Sequence, residues 1–92
     1  MPKSFDKEKG LVIAEGLNEA FVGLMMRFNV HEPIACYDYD RVIHGLIAQG
    51  ATEEEAIEYF DYNILGSWVG DRTPYYLRRM SIDEAAEIAS DV

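Results

Sequence analysis

The sequence predicts a small single-domain α+β protein, and three observations carry that expectation. The chain has 92 residues, 49% hydrophobic and 27% charged, which suits one globular domain and is too apolar for a disordered chain. Two short apolar runs, 20–28 and 33–38, flank a polar, proline-bearing turn and read as a β-hairpin. Further on, Thr52 with Glu55 and Ser81 with Glu84 are capping-box signatures that open helices.

Residues 1–10 alternate charges around Phe5 and end at Gly10, the pattern of a flexible leader before a single domain over 11–92. Between 11 and 28, Leu17, Phe21, Leu24 and Phe28 recur at helical spacing, yet Gly16 and Gly23 would each cost about 1 kcal/mol inside a helix. Asn18 and Glu19 suit a turn, after which 20–28 runs as a strand with Gly23 at a bulge. The strand reading gives the α+β class; a helical reading of the same segment is the alternative and gives a mostly α chain.

After the hairpin, Asp40 is expected to cap a helix whose apolar face is Val42, Ile43, Leu46 and Ile47. Gly50 sits where a left-handed residue ends such a helix. The capping box of Thr52 follows almost at once, so the two helices form a helical hairpin. In the second helix Ile57, Phe60 and Ile64 face the core, while Glu54, Glu58 and Asp61 share a flank. Gly66, Gly70 and Pro74 stop that helix near residue 65 and make the next stretch irregular. Residues 75–80 can be extended, and Ser81 opens a short terminal helix reaching about Ala89.

Charge narrows the classes of partner. The net charge is −9, and residues 51–92 hold ten acidic but only three basic side chains. Polyanions bind through basic groups that release counterions, so direct contact with nucleic acid or an anionic membrane is disfavoured and a basic protein partner is favoured. A single cysteine, Cys36, allows no internal disulfide and suits a reducing compartment. The N-terminus lacks a signal peptide's apolar stretch and no apolar run approaches the ~20 residues of a membrane span. A cytoplasmic location is expected.

The search for chemistry returns weak signals. Cys36, Asp38 and Asp40 alternate, so an extended backbone would aim all three the same way; helix capping, turn formation and burial explain them better than a cation. An Asp-x-Asp phosphatase strand is rejected because every lysine lies before residue 10. His31 and His44 have no nucleophile beside them and read as surface or half-buried. No catalytic residue, metal or cofactor is expected.

The binding candidates lie between 37 and 76, where all six tyrosines and Trp68 fall. Tyr and Trp combine large apolar area with a polar tip and suit interfaces. Phe60 is assigned to the core, and Tyr62, Trp68, Tyr75 and Tyr76 to a partly exposed set. The expected partner surface is Glu54, Glu58, Asp61, Tyr62, Trp68 and Asp71, with spaced carboxylates meeting Arg and Lys. The alternative is a small-ligand or nucleotide pocket at the loop, lined by Asn63, Gly66, Trp68, Gly70 and Asp71, with Trp68 stacking on a base. A structural role, with Trp68 plugging the end of the core, competes with both.

Tyr37-Asp38, the Thr52-Glu53-Glu54-Glu55-Ala56 helix start, and Asn63, Gly66, Trp68-Val69-Gly70 and Thr73-Pro74 together form a pattern over about forty residues. It resembles a recurring group of short bacteriophage and prophage proteins. The resemblance implies a phage-encoded accessory protein made in the bacterial cytoplasm, and implies no activity. With the acidic charge it leads to the expectation of a non-enzymatic protein-binding domain, an inhibitor of a host nucleic-acid-binding defence complex of the anti-CRISPR or anti-restriction kind. A virion or assembly component acting as a homo-oligomer is a further alternative.

Overall fold

The apolar run at 11–14, with β-branched Val12 and Ile13 at its centre, needs a partner for its backbone, and residues 5–8 supply it. Strand β1 (Phe5–Glu8) pairs antiparallel with β2 (Leu11–Ala14), with Phe5 opposite Ala14 and Glu8 opposite Leu11. The structure is a computed structural model and describes residues 5–8, 11–14, 16–28 and 32–91. Residues 5–8 of the expected leader form β1, and the rest of that segment lies outside the described residues.

β2 alternates, burying Val12 and Ala14, and a short 3-10 turn (Asn18–Ala20) leads into β3 (Phe21–Met25). β3 pairs antiparallel with β4 (Ile34–Asp38), and the register shifts between Phe21 and Gly23. The hairpin and its bulge stand where the strand reading put them, and the mostly α alternative is overturned. A third strand, β5 (Tyr75–Leu77), lies parallel to β4, giving the order β3-β4-β5. Parallel neighbours need a long crossover, and residues 39–74 form it.

That crossover begins with α1 (Tyr39–Ala48). Its cap is Asp38, not Asp40: the Asp38 carboxylate accepts from the amides of Asp40 (3.0 Å) and Arg41 (3.4 Å). β4 stays extended through Asp38 and the helix starts at Tyr39, which leaves Asp40 in the first turn. Val42, Ile43 and Leu46 are buried as expected, whereas Ile47 is partly exposed. Gly50, at φ 110°, takes the left-handed conformation that glycine adopts without strain. It closes α1 with two bonds, Gly50 N to Ile47 O (2.9 Å) and Ala51 N to Leu46 O (3.2 Å), the Schellman arrangement. The next helix, α2 (Glu53–Tyr59), opens with the full capping box: Thr52 Oγ1 accepts from Glu55 N, and Glu55 Oε1 accepts from Thr52 N.

The core lies between these helices, β2 and one face of the β3-β4-β5 sheet, where Ala14, Leu17, Ala35 and Tyr37 meet Val42, Leu46, Ala56, Phe60 and Ile64. A chain of rings runs through it. Phe21 meets Tyr37 edge-on, Tyr37 stacks on Tyr76, Tyr76 meets Phe60 edge-on, and Phe60 meets Tyr39 edge-on, at centroid separations of 4.9–5.9 Å. Tyr76, assigned from sequence to the partly exposed set, is half-buried within this chain. Strand alternation turns Cys36 and Asp38 to the sheet's other face. The chain ends in α3 (Ile82–Ser90), capped by Ser81. No residue of α3 is buried, and the Cα radius of gyration of 14.0 Å exceeds the ~12 Å of a close-packed chain of this length.

Candidate functional site

The acidic flank and the tryptophan loop adjoin along the chain, and a local change in helical pitch shapes both. Glu54 and Glu58 are exposed on α2, four residues apart and so on one face. From Phe60 to Leu65 the helix widens to π turns. A four-residue step in an α-helix overshoots the turn by about 40°, and the wider i→i+5 turn drifts the opposite way. Ala56, Phe60 and Ile64 can therefore all be buried although each is four residues from the next. The widened turn leaves Asp61 exposed, Tyr62 82% exposed and Leu65 half-exposed.

Gly66 ends this helix at a position where a side chain would be tightly placed. A Cβ there would stand 3.0 Å from the Tyr62 carbonyl oxygen and 3.1 Å from that of Asp61. Past it, Ser67 Oγ donates to the Asn63 carbonyl (2.7 Å). Thr73 then holds the loop: its Oγ1 accepts from Val69 N (2.9 Å) and donates to the Gly70 carbonyl (2.6 Å). Arg72 reaches Glu32 at 3.2 Å, tying the loop to the segment before β4. Trp68 is 73% exposed on this held loop, with Val69 beside it. Its assignment as a plug of the core is overturned, since Phe60, Ile64 and Pro74 fill the interior positions around it in sequence.

All six expected partner residues, Glu54, Glu58, Asp61, Tyr62, Trp68 and Asp71, are solvent-exposed. Sequence reasoning missed the cavity beside them, about 360 Å³, walled by Tyr39, Ile57, Phe60 and Tyr76 and rimmed by Asp61, Leu65 and Arg78. The Arg78 guanidinium lies 5.5 Å from the centre of the Tyr39 ring. The signal was the aromatic spacing across 39, 60 and 76, which becomes legible only when β5 is placed beside β4. The alternative ligand residues Asn63, Gly66, Trp68, Gly70 and Asp71 do not line it, and Gly66 answers a backbone contact instead.

The Cys36, Asp38 and Asp40 triplet is not brought together for a cation. Asp38 is 3% exposed; one carboxylate oxygen caps α1 and the other accepts from Arg79 Nε at 2.8 Å. The Arg79 hydrogen bond, with the cap amides, holds its carboxyl below the usual range against the opposing effect of burial. Burial, with the Asp38 charge, pushes the Cys36 thiol up, away from a reactive thiolate. Asp40 is exposed on α1, as is His44; His31 lies outside the described residues. Among the described residues no three His, Cys, Asp or Glu side chains cluster as metal ligands, and no helix is long and apolar enough to cross a membrane.

Fold and site together define a small α+β domain that carries an acidic, aromatic-edged helix face. No protein-family model, curated protein or solved structure matches the chain.

Proposed function

We propose that the protein acts by docking on a basic protein, with the α2 flank and the tryptophan loop as its recognition surface and no catalysis of its own. The observation that carries this reading is the position of Asp61, which belongs both to the exposed acidic flank and to the rim of the aromatic-walled cavity. An Arg or Lys from the partner would lay its apolar stem along Ile57, Leu65 and the rings and bring its cation to the Asp61 carboxylate. Glu54 and Glu58 extend the same charge along the helix, and the exposed Tyr62 and Trp68 supply anchors of the type that dominates interface energies.

The chemistry favours a partner whose basic groove ordinarily holds phosphates, because spaced carboxylates substitute for that ligand. Joined to the phage resemblance, this supports a host nucleic-acid-binding defence complex as the target and the bacterial cytoplasm as the place of action. The test compares affinity capture from host lysate by the wild-type chain and by an Glu54→Lys, Glu58→Lys, Asp61→Lys variant. Recovery of a basic, nucleic-acid-processing protein by the first and its loss with the second is expected. Capture of no such protein, or equal capture by both chains, refutes the reading.

A further inference from the structure

Strand β3 carries only apolar residues and glycine, yet none of its residues is buried. Phe21, Val22, Leu24 and Met25 are 38–53% exposed. Successive side chains of a strand point to opposite faces, so exposure at neighbouring positions marks a strand open along its edge. The sheet order agrees: among the described residues β3 pairs with β4 alone, and its outer side presents backbone groups ready to pair with another strand.

Folded proteins blunt such edges with charge, proline, short length or a bulge. The opposite edge is well provided, since β5 is three residues long, preceded by Pro74 and followed by Arg78 and Arg79. β3 has a bulge between Phe21 and Gly23 but no charge or proline from Ala20 to Met26. In a chain of net charge −9, that neutral run lets a second copy approach with little local repulsion. The charges that flank it are opposite in sign. Glu19 and Arg27 are both exposed, stand in no ion pair among the described residues, and lie equally far from Gly23 in sequence.

We propose that two copies pair β3 against β3 across a two-fold axis at Gly23, joining their sheets in the order β5-β4-β3-β3-β4-β5. A two-fold axis makes the paired strands antiparallel. This register sets Val22 opposite Leu24 and Phe21 opposite Met25, and it brings Glu19 of each copy toward Arg27 of the other at both ends. The neighbouring symmetric registers put Arg27 opposite Phe21 or Glu19 opposite Met25 and lose both charge pairs, so the charges select the register. The protected β5 edges stop the assembly at two copies. None of these residues belongs to the α2 flank or the tryptophan loop, so the dimer stands or falls independently of the partner proposed above.

Sedimentation of the full chain at micromolar concentration tests it, with twice the chain mass expected. Leu24→Lys puts a charge on the paired edge and is expected to run as a monomer; Leu24 is half-exposed, so far-UV circular dichroism should show the fold retained. Charge reversal tests the register. Glu19→Arg and Arg27→Glu each turn both end pairs into like-charge pairs, and each is expected to raise the dimer dissociation constant about tenfold. Mixed in equal amounts, these two variants should form a one-to-one heterodimer, because one copy then supplies both arginines and the other both glutamates. The double variant exchanges the charges at unchanged net charge and should dimerise as wild type does. A monomeric wild-type chain or a dimer that survives Leu24→Lys overturns the proposal. So do single reversals without effect and a mixture that associates no more tightly than its components.

Discussion

Replacing Tyr37 with Phe removes one oxygen from the centre of the fold. That oxygen accepts the backbone N–H of Ala14 at 2.8 Å, a buried bond spanning 23 positions that joins the β1-β2 pair to the three-stranded sheet. The ring contacts with Phe21 and Tyr76 are kept by phenylalanine, so the change isolates the hydrogen bond. Ala14 is buried, and its amide would be left without an acceptor, at a cost of about 1–3 kcal/mol. Each kcal/mol lowers the melting temperature of a domain this size by about 4–8 °C. Urea unfolding followed by far-UV circular dichroism measures the loss, and hydrogen exchange at Ala14 assigns it to the bond. A loss under ~0.5 kcal/mol with the Ala14 amide still protected would show that the hydroxyl contributes nothing beyond packing.

The same substitution at Tyr76 should act in the opposite direction. Its hydroxyl is buried without a hydrogen-bond partner among the described residues, so Tyr76→Phe is expected to leave stability unchanged or raise it by up to ~1–2 kcal/mol; a loss of stability in urea unfolding contradicts it. Burial first, and Tyr37 second, hold the Tyr76 phenol far above its ordinary value. The folded state therefore keeps a proton that the unfolded chain releases, and wild-type stability should fall as pH rises past about 10, with a shallower fall in the variant. Gly66→Ala places a methyl against two carbonyl oxygens; the overpacking cost of about 1–3 kcal/mol outweighs the entropic gain of under ~1 kcal/mol, and a melting temperature equal to or above wild type would contradict this. Asp38→Asn keeps a good cap residue but loses the charge facing Arg79. Because the folded Asp38 carboxyl lies below its usual value, its contribution is present above about pH 4 and lost as pH falls through the folded value. Wild type should thus lose more stability than the variant between neutral pH and acid, and parallel losses would refute the assignment.

The elements that the chain announces locally were legible. Thr52 with Glu55 and Ser81 with Glu84 mark helix starts through contacts three residues apart, and Gly50 marks a helix end through its own backbone. The elements decided by distant partners were not. Whether Asp38 or Asp40 caps α1 depends on how far β4 stays paired, which β3 and β5 determine. Residues 5–8 carry no strand signal of their own and are ordered by β2, and the parallel placement of β5 follows from a crossover of 36 intervening residues, 39–74. The acidic flank was legible because helical spacing fixes it. The cavity beside it was not, since Tyr39, Phe60 and Tyr76 meet only after the crossover closes.

Trp68 is the only tryptophan in the chain and stands outside the core, on the loop next to the acidic flank. Its indole is in contact with water before the protein unfolds and stays so afterwards, so its emission is nearly blind to folding. It responds instead to whatever settles on the loop. The protein thus carries a built-in optical reporter of docking: a blue shift on adding a partner marks an event at this surface, while denaturation has to be followed through the backbone.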